Sequence, residues 1–203
     1  MTTNVPRGTP DRMVEEIRAR EAGRADELAA EGSLLRLWRP PLQPGEWRTV
    51  GLFAARDADH LEHVLASMPL RVWRTDVAAP LDPHPNDPGR TWPPGDDGPR
   101  AEFLTSFRVR IPDGTPEEVV GSTLASEAHR ARELAEEGHL LRLWTQPGAG
   151  TSAPLALGLW RARDEHQLRS ILRSLPMDLW LDVETTPLSE HPSDPRPVLC
   201  GGG

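Results

Sequence analysis

The stretch Glu21-Ala-Gly-Arg-Ala-Asp-Glu-Leu-Ala-Ala-Glu-Gly-Ser-Leu-Leu-Arg-Leu-Trp38 returns almost unchanged as Glu127-Ala-His-Arg-Ala-Arg-Glu-Leu-Ala-Glu-Glu-Gly-His-Leu-Leu-Arg-Leu-Trp144. Each copy reads as the second half of a helix, a glycine stop and a strand. A chain of 203 residues is long enough for one large domain or two small ones, and the repeat decides for two of about 100 residues each. Any fold proposed for one half must also suit the other.

Charge narrows the function classes. The chain carries 23 basic and 31 acidic residues, a net charge of −8, and a phosphate-binding surface normally needs a basic patch, so nucleic acid is not an expected partner. No run approaches 18 apolar residues and no signal pattern opens the chain, so the expectation is a cytoplasmic protein without a membrane span. The single cysteine, Cys200, lies in a glycine tail, which rules out an internal disulfide or a cysteine metal cage. Every basic residue is arginine, and there is no lysine. Schiff-base chemistry, pyridoxal phosphate attachment and a phosphate-binding P-loop all need lysine and are excluded. Arginine stays protonated; it clamps anions but is a poor general base.

In chain order, Gly8-Thr9-Pro10 and Gly114-Thr115-Pro116 lead into helices over Asp11–Glu31 and Glu117–Glu137, with Thr9 and Thr115 as expected N-caps and the prolines at the first helical position. Gly32 and Gly138 are the expected stops. A clear strand, Glu102–Ile111, precedes the second of these helices, whereas the first copy has room only for Met1–Val5. Strands follow at Leu34–Arg39 with Trp47–Ala54 and at Leu140–Thr145 with Pro154–Ala162. Second helices start at the N-caps Asp57 and Asp164 and stop before Pro69 and Pro176. Final strands are expected over Arg71–Ala78 and Asp178–Thr185. Each copy closes on a proline-rich segment, Pro80–Pro88 and Pro187–Pro195.

The order strand–helix–strand–strand–helix–strand is the ferredoxin-like split βαββαβ plan. The expectation is an α+β protein of two tandem ferredoxin-like modules, with antiparallel sheets packed as an intrachain pseudo-dimer that buries the helix-free sheet faces. The modules span 1–88 and 102–195, joined by a Pro/Gly linker at 89–101 and followed by a tail at 196–203.

The pattern Glu127…Glu137-Gly138-x-x-x-Arg142-Leu143-Trp144, then Ser174-Leu175-Pro176, then Val183-x-x-Thr186-Pro187-Leu188-x-x-His191-Pro192, resembles the muconolactone Δ-isomerase family. The first copy resembles it more weakly through Glu21, Gly32, Arg36-Leu37-Trp38, Met68-Pro69 and His84-Pro85. The resemblance implies a ferredoxin-like, cofactor-free and oligomeric enzyme that shifts a ring double bond of a small unsaturated lactone in aromatic catabolism. Family members are typically single modules with His-Leu-Trp where this chain has Arg-Leu-Trp. A biosynthetic isomerase or cyclase on the same fold, and a non-catalytic binding or assembly module, are the alternatives.

The inward stripes are Val14, Ile17, Glu21, Ala25, Leu28 and Val120, Leu124, Glu127, Ala131, Leu134. An acid on a buried helix face is costly unless paired or protonated. In an apolar pocket its pKa rises, which suits a base that takes a proton beside a carbonyl and returns it elsewhere. Glu127 and Glu21 are therefore candidate catalytic bases, or acids paired with a buried arginine. Arg36 and Arg142, among apolar neighbours, would grip a substrate anion or pair with the helix glutamates. His84 and His191 would shuttle the proton or merely pack the closing loops. Trp38, Trp73, Trp144 and Trp180 are candidate pocket walls. No histidine spacing shared by both copies suggests a metal.

Overall fold

The computed structural model describes residues 1–89, 101–147 and 155–195. The expected linker and tail fall almost wholly outside them. The contacts divide the chain into two compact units that do not coincide with the repeats: unit 1 is Met1–Ala78 with the chain from Ser189 onward, and unit 2 is Ala79–Leu188. The closing segment of each repeat thus belongs to the unit built by the other.

Unit 1 contains β1 (Thr2–Thr3), α1 (Asp11–Ala30), β2 (Leu34–Arg39), β3 (Val50–Phe53), α2 (Ala58–Ala66) and β4 (Arg74–Thr75). Unit 2 contains β5 (Asp82–Pro83), β6 (Ala101–Val109), α3 (Glu117–Glu136), β7 (Leu140–Gln146), β8 (Leu155–Ala162), α4 (Glu165–Arg173) and β9 (Leu181–Glu190), whose last two residues are counted with unit 1. The sheet of unit 2 is antiparallel in the order β9-β6-β8-β7-β5. Its first four strands follow the ferredoxin-like arrangement, with the first strand of the repeat central. In unit 1, β2 pairs with β3 and with Ser189–Glu190. The abbreviated first strand keeps its place between the same neighbours: Thr3 N–H donates to Trp47 O (2.8 Å) and Asn4 N–H to Trp73 O (2.8 Å).

The long helices end as expected. Gly32 (φ 74°) and Gly138 (φ 75°) adopt the left-handed conformation. Ser33 N–H reaches Leu28 O and Gly32 N–H reaches Ala29 O, with His139–Leu134 and Gly138–Ala135 repeating the pair. These are Schellman stops, which use up orphan carbonyls of the last turn. The second helices start on Asp57 and Asp164, which accept from His60 N–H and Gln167 N–H.

The starts of the long helices differ from expectation. Pro10 and Pro116 occupy the cap positions with no side-chain cap, and the Thr9 and Thr115 hydroxyls donate backward to Pro6 O and Pro112 O instead. The inward stripe also fails at its outer end. Leu124 is 47% exposed, because only the C-terminal half of each long helix packs on the sheet; the buried residues are Ala25 and Leu28, or Ala131 and Leu134. Glu21 and Glu127 lie where the helix leaves the core.

The final strands start later than expected. Prolines set 3-10 turns at Pro69–Trp73 and, just beyond Pro176, at Asp178–Trp180. β4 is then only two residues long because its partner β1 is, while β9 extends to ten residues along β6.

The core of unit 2 gathers Phe103, Phe107, Leu134, Trp160, Leu168 and Leu172 under the helices; that of unit 1 gathers Leu28, Leu34, Leu37, Leu65 and Met68. In unit 2 the fully buried Thr105 accepts from Trp160 Nε1 (2.8 Å), and a Cβ at Gly158 would strike that indole nitrogen and the Thr105 hydroxyl. Gly158→Ala should therefore cost about 1–3 kcal/mol and lower Tm by about 2–4 °C per kcal/mol in a chain of this size; thermal denaturation checks it. No helix of the described residues is long and apolar enough to cross a membrane.

Candidate functional site

Each candidate base is met by the 3-10 turn that follows the second helix of its repeat. The first N–H groups of such a turn lack an internal acceptor, and the turn points one of them at the glutamate. Met177 N–H donates to Glu127 Oε2 (3.0 Å) and Leu70 N–H to Glu21 Oε2 (2.8 Å). Beyond that shared bond the two sites part company.

In unit 2, Met177 N–H is the partner that Glu127 has among the described residues. Burial pushes the Glu127 carboxyl above the usual range, and the Met177 hydrogen bond only partly offsets it. In unit 1, Glu21 Oε1 also receives Arg74 Nη1 (2.8 Å). Arg74 is buried, and its Nε lies 2.8 Å from Asp76 Oδ1 as an ion pair lacking hydrogen-bond alignment. Asp76 continues to Arg71 (2.9 Å) and Arg71 to Glu62. Glu21 thus belongs to a chain of compensated charges. The position of Arg74 in the first repeat is Leu181 in the second, and that of Asp76 is Val183.

The histidines occupy matched turns. His84 Nδ1 accepts from Asn86 N–H (3.1 Å) and His191 Nδ1 from Ser193 N–H (3.1 Å). The neutral ring then carries its proton on Nε2. Burial lowers both pKa values; for His191 the Arg39 and Arg18 guanidiniums add to burial and bring it to about 4.

The same turns place an aspartate. Asp87 N–H closes onto His84 O and Asp194 N–H onto His191 O. The Asp87 carboxylate then accepts from Arg142 Nε (3.1 Å) and Nη2 (3.0 Å) and from Leu143 N–H (2.7 Å). Asp194 accepts likewise from Arg36 Nε (3.0 Å) and Leu37 N–H. The acidic partner of each candidate clamp is therefore the closing segment and not the helix glutamate. Arg36 and Arg142 stack over Trp38 (4.7 Å) and Trp144 (5.1 Å), both buried. Trp73 and Trp180 end the 3-10 turns, partly exposed.

A cavity of about 270 Å³ opens in unit 1. It brings together Glu21, His191 and Arg74 with Arg18, Arg39 and Trp47 over an apolar floor that includes Leu37 and Leu70. Arg36, Trp38 and Trp73 do not line it. Arg18, Arg39, Arg74 and Asp76 escaped the sequence reading. Setting the repeats side by side would have flagged them, since the second copy has Leu124, Thr145, Leu181 and Val183 there. Among the described residues no group of three or more His, Cys, Asp or Glu is placed to hold a metal.

The βαββαβ order and the sheet topology define a ferredoxin-like α+β protein. Residues 1–87 and 101–194 both match the muconolactone delta-isomerase family, and the chain belongs to that family. It is 30% identical over 94 residues to muconolactone Delta-isomerase 1 of Acinetobacter lwoffii, covering 46% of this chain and 94% of that one. It is 30% identical over 86 residues to the muconolactone Delta-isomerase of Cupriavidus pinatubonensis strain JMP 134, covering 42% and 90%. Among solved structures, a heme-binding protein from Thermus thermophilus shares the fold at a TM-score of 0.56 and 14% identity, covering 91% of this chain and 85% of that one.

The aspartate anchors are testable. Asp87→Ala leaves Arg142 partly buried without its carboxylate and should cost up to about 3–5 kcal/mol, the figure for a fully buried pair, whereas replacing both partners by apolar residues of similar size should recover much of the loss. Urea denaturation of the single and double variants checks this.

Proposed function

We propose that the chain is a cofactor-independent isomerase that moves a double bond by proton transfer in a small unsaturated lactone, with Glu127 of unit 2 as the base. The observation that carries this reading is the Glu127 carboxyl itself, partly buried, held by one backbone N–H and raised in pKa. A base for this chemistry must accept a carbon-bound proton and release it again near neutrality. A carboxylate whose pKa is lifted by an apolar setting meets both demands.

In the proposed cycle Glu127 takes a proton from the ring carbon γ to the lactone carbonyl. The electron pair moves through the ring to the carbonyl oxygen as a dienolate. The protonated Glu127 then delivers the same proton to the α carbon, and the double bond is left one position along. Atoms and charge balance without a co-reactant. Neutral His84, with its proton on Nε2, is the candidate donor to the dienolate oxygen; a neutral imidazole donates without first having to give up charge. The equivalent pair in unit 1, Glu21 and His191, lines a single cavity, which supports placing Glu127 and His84 at one site. Arg142 acts here through Asp87, which fixes the turn that carries His84.

The test is a UV assay of muconolactone isomerisation. Glu127→Gln should lower kcat by about 10²–10⁴-fold, with a markedly smaller loss for Glu21→Gln. Loss with Glu21→Gln alone would move the base to unit 1, and no turnover by folded wild type would overturn the lactone assignment. The kcat/KM profile should fall with acid around a midpoint above the ordinary glutamate value of about 4.3, because Glu127 must be ionised to act.

The same shift bears on stability. A glutamate with a raised native pKa is disfavoured as the anion in the fold, a penalty present above that pKa and absent below the unfolded value. Glu127→Gln should therefore raise Tm at pH 7, and the gain should vanish near about pH 4. Thermal melts at the two pH values check it.

A further inference from the structure

We infer that Arg130 and Ser174 are positioning residues for Glu127: they clamp the end of α4 against α3, and the clamp keeps the Met177 N–H on the Glu127 carboxylate. Its part in catalysis rests on the isomerase reading of unit 2; the clamp itself does not.

The observation is an attachment at two points in register. Glu127 and Arg130 lie three residues apart on α3 and so share one face of the helix. Ser174 and Met177 lie three residues apart where α4 gives way to its 3-10 turn. Met177 N–H donates to Glu127 Oε2 (3.0 Å), and Arg130 Nε donates to Ser174 Oγ (3.2 Å). One hydrogen bond alone leaves the joined segment free to pivot. The second, on the same helix face, removes that freedom.

Both ends of the second bond are themselves held. The Ser174 hydroxyl gives its proton to Ile171 O (2.6 Å), so its lone pairs are left to accept. Arg130 Nη1 is engaged by Glu133 (2.9 Å) and Glu137 (3.4 Å). Partly exposed ion pairs of this kind contribute little stability; what they fix here is direction. The first repeat builds the same clamp. Arg24 Nε donates to Ser67 Oγ (3.0 Å), Ser67 Oγ to Val64 O (2.7 Å), and Leu70 N–H to Glu21. There Arg74 also anchors the glutamate, whereas the second repeat has Leu181 at that position. The orientation of Glu127 therefore rests on the Met177 bond and on the clamp behind it. With Oε2 held by the N–H, Oε1 can be aimed at a carbon-bound proton, and misalignment of a reacting group by a fraction of an ångström is costly.

The experiment compares the full chain with Ser174→Ala, Ser174→Thr and Arg130→Met. The readouts are hydrogen exchange at the Met177 amide, carboxyl carbon NMR of Glu127 against pH, and muconolactone turnover. Ser174→Ala should speed Met177 exchange and lower kcat by about three- to tenfold, the worth of one hydrogen bond, with KM nearly unchanged. The Glu127 titration and the acid limb of the rate profile should both move to higher pH, because the lost N–H favoured the anion. Ser174→Ala removes no charge, so a bare charge effect is excluded. Ser174→Thr keeps the hydroxyl and should behave as wild type. Arg130→Met should follow Ser174→Ala, and the double variant should be little worse than either, since all remove one contact. Unchanged Met177 exchange and Glu127 titration in folded Ser174→Ala would overturn the proposal, as would an equal loss in Ser174→Thr. A wild type without turnover would fell the isomerase reading, while exchange and titration would still decide the clamp.

Discussion

The bond on which both units depend is the one between the closing aspartate and the strand that follows the long helix. Asp87 spans Arg142 and Leu143 N–H, and Asp194 spans Arg36 and Leu37 N–H. A carboxylate that accepts from a guanidinium and a backbone amide together is among the stronger contacts a fold can make. Each pair is also largely buried, with aspartate side chains only 5% and 7% exposed, so an unpaired partner would be heavily penalised. This contact fixes the His-Pro turn, and the turn in turn presents a histidine with a defined tautomer.

Around that common frame the two repeats have taken opposite electrostatic courses. In one, the helix glutamate is answered by a buried arginine and enclosed in a run of compensated charge. In the other, the arginine is a leucine, and among the described residues the carboxyl is met by the Met177 N–H alone. A backbone N–H meets the glutamate in both, and the difference in charge lies in a few side chains, chiefly Arg74 against Leu181 and Arg18 against Leu124. A carboxyl left under-compensated costs stability, and such costs are commonly borne where reactivity is needed.

Most of the architecture was legible because it is written in local signals. The glycine stops, the aspartate caps of α2 and α4, the proline ends and the helical stripes each name their element without reference to the rest of the chain. The features that were not legible depend on distant partners. Nothing near Arg142 in sequence points to Asp87, and nothing near Arg36 points to Asp194. Leu124 reads as core by period, yet the helix outruns the sheet it packs on. The short 3-10 turns were hidden because Arg71–Ala78 and Asp178–Thr185 have strand-like composition, while the backbone N–H groups that meet the glutamates come from the residues just before. The cationic cavity was hidden in the differences between repeats, since attention to what they share passes over them.

The crossing of the closing segments has a consequence for the chain as a whole. Once residues 79–88 complete the unit built from the second repeat, and residues 189–195 complete the one built from the first, neither copy retains all the parts that it would need alone. A chain with one repeat alone would have to take its closing segment from itself or from a second copy. The two copies are thereby tied together as one folding unit, and a change in either closing segment is felt in the unit built from the other repeat.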